Sequence, residues 1–276
     1  MKLKELAGGS RNMKIGVIGL GNMAGAMIGG LLAKGYAKAE EIWGSDADAA
    51  TAKKRTKEFG IHIAKDNKET AAEADYLILA VKPQFAAGVI DEIRDAAKEG
   101  QVVISIMAGK SIAWIMEKFG REIKLVRCMP NTAALVGEAV TALSPSEKVG
   151  KEELDTVKGI LESFGRAEVV PEHLMDSVVG VSGSAPAYVF MFIEAMADAA
   201  VEGGMPRQQA YTFAAQAVLG SAKLMLETGK HPGELKDMVC SPAGTTIAAV
   251  RVLEERGLRG AVIDAVGAAI QRSKEL

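Results

Sequence analysis

Two short stretches of this chain carry residue types able to do chemistry. In GVIGLGNMAGAMIGGLL, Gly19, Gly21 and Ala24 stand in G-x-G-x-x-A spacing, after an apolar run and ahead of a helical one. The first glycine permits a tight turn and the second lets a pyrophosphate approach the backbone. The small third residue lets helix pack on strand, with the helix N-terminus facing the phosphates. A tight turn without a ligand has the same spacing; the strand before and helix after favour a dinucleotide. The second stretch is DMVCSPAGTTIAAVRVLEE, residues 237–255, where an apolar helical region pauses at Ser-Pro-Ala-Gly-Thr-Thr. Hydroxyls and backbone amides ahead of a helix suit a small anion. The same donors suit a Ser/Thr cap on a broken helix.

The end of the second β-rich run, WGSDADAA, bears on which dinucleotide is held. Asp46 stands where an acidic group accepts from a ribose 2′-hydroxyl, which favours NADH. Ser45 with Lys53, Lys54 and Arg55 favours a 2′-phosphate instead, although the three basic residues also describe an exposed helix face. Both cofactors stay open. Other chemistry is missing. GVSGS at 180–184 lacks the final glycine and the setting of a nucleophile elbow. His62, His173 and His231 have no metal-ligand spacing, Cys128 and Cys240 make no metal-type pair, and no metal is expected. Hydride transfer needs no protein nucleophile, because its cofactor carries the chemistry.

The elements that position these stretches fall into two halves. From residue 14 to about 170, β-rich runs alternate with helical patterns. KIGVIG precedes residues 22–33, EIWGS precedes 47–58, DYLILAV precedes 84–98 and QVVISIM precedes 111–118. IKLVRCM leads to a loop, AVTAL precedes 147–163, and RAEVV closes the series. Buried strands with helical crossovers predict a doubly wound, mostly parallel sheet covered on both faces. After Pro171 strand signals stop. APAYVFMFIEAMADAAVEGG is charged only at Glu194, Asp198 and Glu202, one stripe at helical spacing. The next helix, Pro206 to Thr228, carries Gln209, Gln216 and Lys223 along one seam. Helices apolar around most of their circumference need cover on most sides. An obligate oligomer interlocked through this half is expected; burial against the first half is the alternative.

These halves give a division into 13–171, an NAD(P)-binding domain, and 172–276, a helical dimerisation and substrate-binding domain. Residues 1–12, with Gly-Gly-Ser before Met13, read as a flexible extension or tag. A net charge of −2 over 276 residues offers no broad basic surface for nucleic acid. Two cysteines point to a reducing cytoplasm, and the polar start is no secretory signal. Lys, Glu, Asp and Gly interrupt the apolar runs, so no membrane span is expected.

Six segments make the chain resemble the pyrroline-5-carboxylate reductases from about Met13 to the C-terminus. They are IGLGNMAGAMIGGLL, LAVKPQ, RCMPNT, GVSGSAPAYVFMFIEAMADAAV, GGMPRQQA and HPGELKDMVCSPAGTTIAAVRVLE, the last carrying the family signature. The resemblance implies an α/β Rossmann domain followed by an all-α dimerisation domain, and dimers that commonly build decamers. It implies reduction of L-Δ1-pyrroline-5-carboxylate to L-proline with NADPH or NADH. Gly19, Gly21, Asn22 and Met23 match the family's phosphate-binding turn. Ser45 matches the adenosine end, and Asn67 an asparagine near its ribose. Ala80, Val81, Lys82 and Pro83 match the loop beside the cofactor, with Ala108 and Gly109 in the loop after the fifth strand. Ser241, Gly244, Thr245 and Thr246 match the substrate loop. Two positions depart from the pattern: Ala243 where glycine is common, and Ala133 where proline is common. A left-handed backbone at position 243 costs alanine about 1 kcal/mol.

The implied substrate is a ring with one carboxylate and one C=N bond. The amides of Gly244 to Thr246 and the Ser241 hydroxyl suit the carboxylate. By resemblance the Thr246 hydroxyl lies near the imine nitrogen, as orienter ahead of acid, and positioning supplies most of the catalysis. With cofactor turn and substrate loop on different domains, the site is expected between them. Two rivals remain. One is a related reductase acting on another cyclic imine or a hydroxyacid; the absence of lysine from GSAPAYVFMF counts against the hydroxyacid. The other is a non-catalytic NAD(P)-sensing protein, which leaves the hydroxyl-rich loop without a use.

Overall fold

The structure, a computed structural model, describes residues 13–275; the extension read at 1–12 lies outside the described residues. The chain separates into two compact units. One holds the residues up to Gly183 and those from Ser273 on, and the other is Ser184–Arg272.

The first unit is a doubly wound sheet. Its strands are β1 (Ile15–Ile18), β2 (Ile42–Ser45), β3 (His62–Ile63), β4 (Tyr76–Leu79), β5 (Val102–Ser105), β6 (Lys124–Met129), β7 (Ala139–Pro145) and β8 (Gly165–Val169). Its helices are α1 (Asn22–Ala33), α2 (Ala49–Phe59), α3 (Asn67–Glu73), α4 (Ala86–Ile93), α5 (Ile112–Phe119), α6 (Lys151–Glu162) and the short α7 (Met175–Val178). The strand order is β3-β2-β1-β4-β5-β6-β7-β8. Every neighbouring pair is parallel except β6 and β7.

Alternation along the central strands builds a core on each face. Val17, Ile78 and Ile104 pack on one side with Met27, Ile28 and Leu31 of α1 and with Phe164. Ile18, Leu77, Leu79 and Val103 pack on the other with Ile90 and Ile93 of α4 and Ile115 of α5. Each such side chain contributes roughly 1.5–3 kcal/mol by leaving water. Gly30 is required by this packing, since a Cβ there would stand 2.7 Å from that of Phe164.

One sequence expectation shifts, one short strand is added, and the loop expected after IKLVRCM is present. β3 carries no strand signal, because two residues on a sheet edge show no period. The helix expected over 84–98 is a 3-10 turn, Pro83–Phe85, followed by the shorter α4. Strand β7 runs antiparallel because residues 130–138 form a loop with a 3-10 turn at Thr132–Val136, containing Ala133, instead of a crossover helix.

The second unit is helical: α8 (Ala185–Glu202), α9 (Arg207–Thr228), α10 (Pro232–Val239), α11 (Thr245–Glu255) and α12 (Leu258–Lys274), whose last residues belong to the first unit. Within the unit the buried side chains are small: Ala197, Ala210 and Ala214. Phe190, Met191, Phe192, Phe213, Leu226 and Ile263 are exposed. The expectation of no bilayer-length run is corrected here: the helical segment Glu172–Glu202 is long and apolar enough to cross a membrane by length and composition. No charge falls between Asp176 and Glu194.

Candidate active site

The chain reverses its sheet-building direction at β1, which lies between β2 and β4. Doubly wound sheets hold ligands outside the carboxyl ends of the strands at that reversal, where the glycine turn sits. Gly19 adopts φ +89°, and a Cβ on it would meet the Ala80 carbonyl oxygen at 2.8 Å and Val81 Cγ1 at 3.1 Å. Its N–H donates to Ser45 O at 2.8 Å, while Ala80 N–H donates to Ile18 O at 2.9 Å. Gly19, Ser45, Ala80 and Val81 thus meet at one end of the sheet. Gly21 is the N-cap of α1 and has open space where a Cβ would point. No side chain caps this helix, so the first-turn amides that begin at Asn22 and Met23 are left for a ligand. A bare turn, an open approach and uncapped donors fit a pyrophosphate.

A side-chain relay continues from Ser45. Its hydroxyl donates to Asn67 Oδ1 at 2.7 Å, and Asn67 Nδ2 donates to Glu92 Oε2 at 2.8 Å. Glu92, unmarked in the sequence, therefore sets the direction of the Asn67 amide. Lys82 and Pro83 open the 3-10 turn after β4, and exposed Ala108 and Gly109 follow β5.

Two residues considered for the ribose are used by the turn itself. Asp46 Oδ2 accepts from Leu20 N–H at 2.7 Å, and Oδ1 accepts from Asp48 N–H at 2.8 Å. Lys53 and Lys54 are exposed, as a solvated helix face requires, but Arg55 is buried. It shares a seam with Ala52 and Phe59, at i, i+3 and i+7 spacing, and an arginine on a helix's inward seam was the signal available in the sequence.

The second unit holds the other residues. Pro242 at the second position, Ala243 at φ +56° in the third, and a bond from Gly244 N–H to Ser241 O at 3.0 Å form a type II turn. Such a turn needs positive φ at its third position, which is why glycine is common there; among the described residues Ala243 alone does this without being glycine. Helix α11 starts at Thr245 with Gly244 as N-cap. The alternative of a Ser/Thr cap is not realised, since no side chain caps α11. Ser241, Gly244, Thr245 and Thr246 therefore stand together around a helix start with free donors. Elsewhere, burial pushes the Cys128 thiol up, which removes it as a nucleophile.

Switch point, bare glycine turn and uncapped helix define a dinucleotide-dependent oxidoreductase of the doubly wound class. Residues 14–109 match the family described as NADP oxidoreductase, coenzyme F420-dependent, and residues 172–276 match pyrroline-5-carboxylate reductase dimerisation. The chain is 51% identical over 263 residues to the pyrroline-5-carboxylate reductase of Escherichia coli (strain K12), covering 95% of this chain and 98% of that one. The solved structure of a pyrroline-5-carboxylate reductase from Coxiella burnetii aligns with a TM-score of 0.91 at 34% identity, over 96% of this chain and 98% of that one. The Plasmodium falciparum pyrroline carboxylate reductase, solved with NADP bound, aligns at 0.85 with 31% identity over 97% and 99%. The chain belongs to the pyrroline-5-carboxylate reductase family, and its dimerisation segment makes it a homo-oligomer.

Proposed function

We propose that this chain catalyses the final step of proline synthesis, the NAD(P)H-dependent reduction of L-Δ1-pyrroline-5-carboxylate to L-proline. The observation that carries the reading is the 51% identity to the Escherichia coli reductase over 95% of the chain. We take 13–171 as the NAD(P)-binding domain and 172–276 as the dimerisation and substrate-binding domain. When bound, the reduced nicotinamide would supply the hydride that adds to C5 of the ring with its imine nitrogen already protonated, so that the C=N bond becomes the neutral amine of proline.

The remaining tasks fall to this chain. The Gly19–Gly21 turn and the first amides of α1, at Asn22 and Met23, hold the pyrophosphate. Ser45 and Asn67 hold the adenosine side, with Ala80 to Pro83 and Ala108–Gly109 alongside the cofactor. The Ser241 hydroxyl and the amides of Gly244 to Thr246 hold the substrate carboxylate, helped by the dipole of α11. The Thr246 hydroxyl orients the imine nitrogen. Catalysis is then chiefly positioning, worth up to about 7–11 kcal/mol in well-oriented systems.

The exposed apolar side chains of α8 and α9 are read as subunit contacts, because residues 172–276 match a dimerisation family. A larger assembly such as a decamer, a cytoplasmic location and the absence of membrane and nucleic-acid partners complete the reading. The test is oxidation of NADPH and, separately, of NADH on adding pyrroline-5-carboxylate, with proline identified as product. Turnover with neither cofactor overturns the proposal, and the ratio of the two rates assigns the preferred one.

A further inference from the structure

One charged side chain of α2 points inward, and it grips the cofactor turn. Arg55 is 7% exposed. Its Nε donates to Leu20 O at 3.0 Å, its Nη2 to Gly21 O at 2.9 Å, and its Nη1 to Glu58 Oε2 at 2.6 Å. Gly21 O also accepts from Gly25 N–H, at 2.9 Å, as the first bond of α1. The guanidinium needs Gly25: a Cβ at that position would lie 2.4 Å from Arg55 Cζ. Gly25 is outside the G-x-G-x-x-A spacing and has no part in it.

The consequence follows from peptide geometry. In a trans peptide, C=O and N–H point in opposite directions. Anchoring Leu20 O fixes the Gly21 N–H at the opposite edge of the same peptide plane, and anchoring Gly21 O fixes the Asn22 N–H likewise. The neighbouring donors are already used, Gly19 N–H on Ser45 O and Leu20 N–H on Asp46. The fork of Arg55 therefore holds the two outward amides of the turn.

We propose that Arg55 is a positioning residue for the dinucleotide, pre-orienting the Gly21 and Asn22 amides toward its pyrophosphate, with Gly25 present to admit the guanidinium. The inference rests on the reading of residues 19–24 as the cofactor turn. Lysine keeps the charge but not the two-pronged donor geometry, so Arg55→Lys separates orientation from charge.

The test is direct titration of substrate-free enzyme with NADPH, beside competition by adenosine 2′-monophosphate, which lacks the pyrophosphate. Arg55→Lys is expected to raise the NADPH Kd about tenfold and to leave the affinity for adenosine 2′-monophosphate unchanged. It should raise the KM for NADPH and leave kcat at saturation unchanged. Gly25→Ala, which displaces the guanidinium without deleting a polar group, is expected to move the same quantities in the same direction. It decides alone if Arg55→Lys does not fold. NADPH binding at wild-type strength in the variant overturns the inference, and so does equal weakening of both ligands, which marks a general structural role. Failure of the wild-type enzyme to bind either NADPH or NADH removes the cofactor reading and the inference with it.

Discussion

Ser241 reaches over Gly244: a Cβ placed on Gly244 would lie 2.3 Å from the Ser241 hydroxyl oxygen. The hydroxyl is thereby held above the start of α11, and residue 244 must stay bare for it to remain there. Gly244→Ala is expected to displace Ser241 and raise the KM for pyrroline-5-carboxylate, lowering kcat/KM about tenfold or more, with binding of NADPH intact. Unchanged steady-state kinetics would separate Ser241 from substrate binding.

The adjacent Ala243 stands at φ +56°, in the left-handed region that disfavours a Cβ. Ala243→Gly is expected to relieve about 1 kcal/mol, partly offset by the entropy of glycine in the unfolded chain. Thermal melts should show a rise of about 2 °C with kcat/KM preserved. A fall in Tm would show that alanine is not strained there.

Thr246 sits in the first turn of α11, half-buried. On the proposed role of Thr246 as orienter of the protonated imine, Thr246→Ala would delete a hydrogen bond to a charged group, worth about 1.5–3 kcal/mol. A loss in kcat/KM of about tenfold or more is expected. Near-wild-type kinetics would take the hydroxyl out of the mechanism.

Stability at high pH depends on Tyr36. Its hydroxyl donates to Thr156 O at 3.0 Å, and burial, reinforced by Tyr76 and Glu162, pushes its pKa from 10.0 up to about 12. The unfolded chain releases this proton near pH 10 and the folded chain near pH 12. Stability from the neutral phenol is therefore complete below pH 10 and lost as pH rises through about 12. Tyr36→Phe should melt lower than wild type at about pH 9, by a bond worth about 1 kcal/mol, with the gap closing as pH climbs past 10. A constant gap to about pH 11 would contradict the shift.

What the sequence reveals and conceals has a physical pattern. The cores of β1, β4 and β5 are legible because strands buried on both faces read as unbroken apolar runs. Gly19 and Gly21 are legible because their spacing, after an apolar run and ahead of a helical one, is that of a dinucleotide-binding turn. Arg55 is hidden because its chemistry depends on which face of α2 turns inward, and Lys53 and Lys54 beside it dilute the signal. Gly25 is hidden for the same reason: its requirement comes from a partner thirty residues away in sequence. Asp46 shows that residue type does not fix the recipient, since a carboxylate at the position read for a ribose accepts from the Leu20 amide. Alanine at 243 is informative only once a turn with positive φ is built around it.

The second unit buries only alanines among its described residues and leaves its phenylalanines uncovered. If a unit so thinly cored is completed by its copies, as the dimerisation match supports, catalytic output depends on how many copies share the compartment. Below the dissociation constant of the assembly, each halving of enzyme should remove more than half of the turnover, giving a rate that bends upward with concentration. Strict proportionality down to the most dilute assay, with sedimentation showing a stable 29.0 kDa species, would mean that the lone subunit works. If assembly is required instead, low expression acts twice, through fewer chains and through a smaller fraction of them in working form.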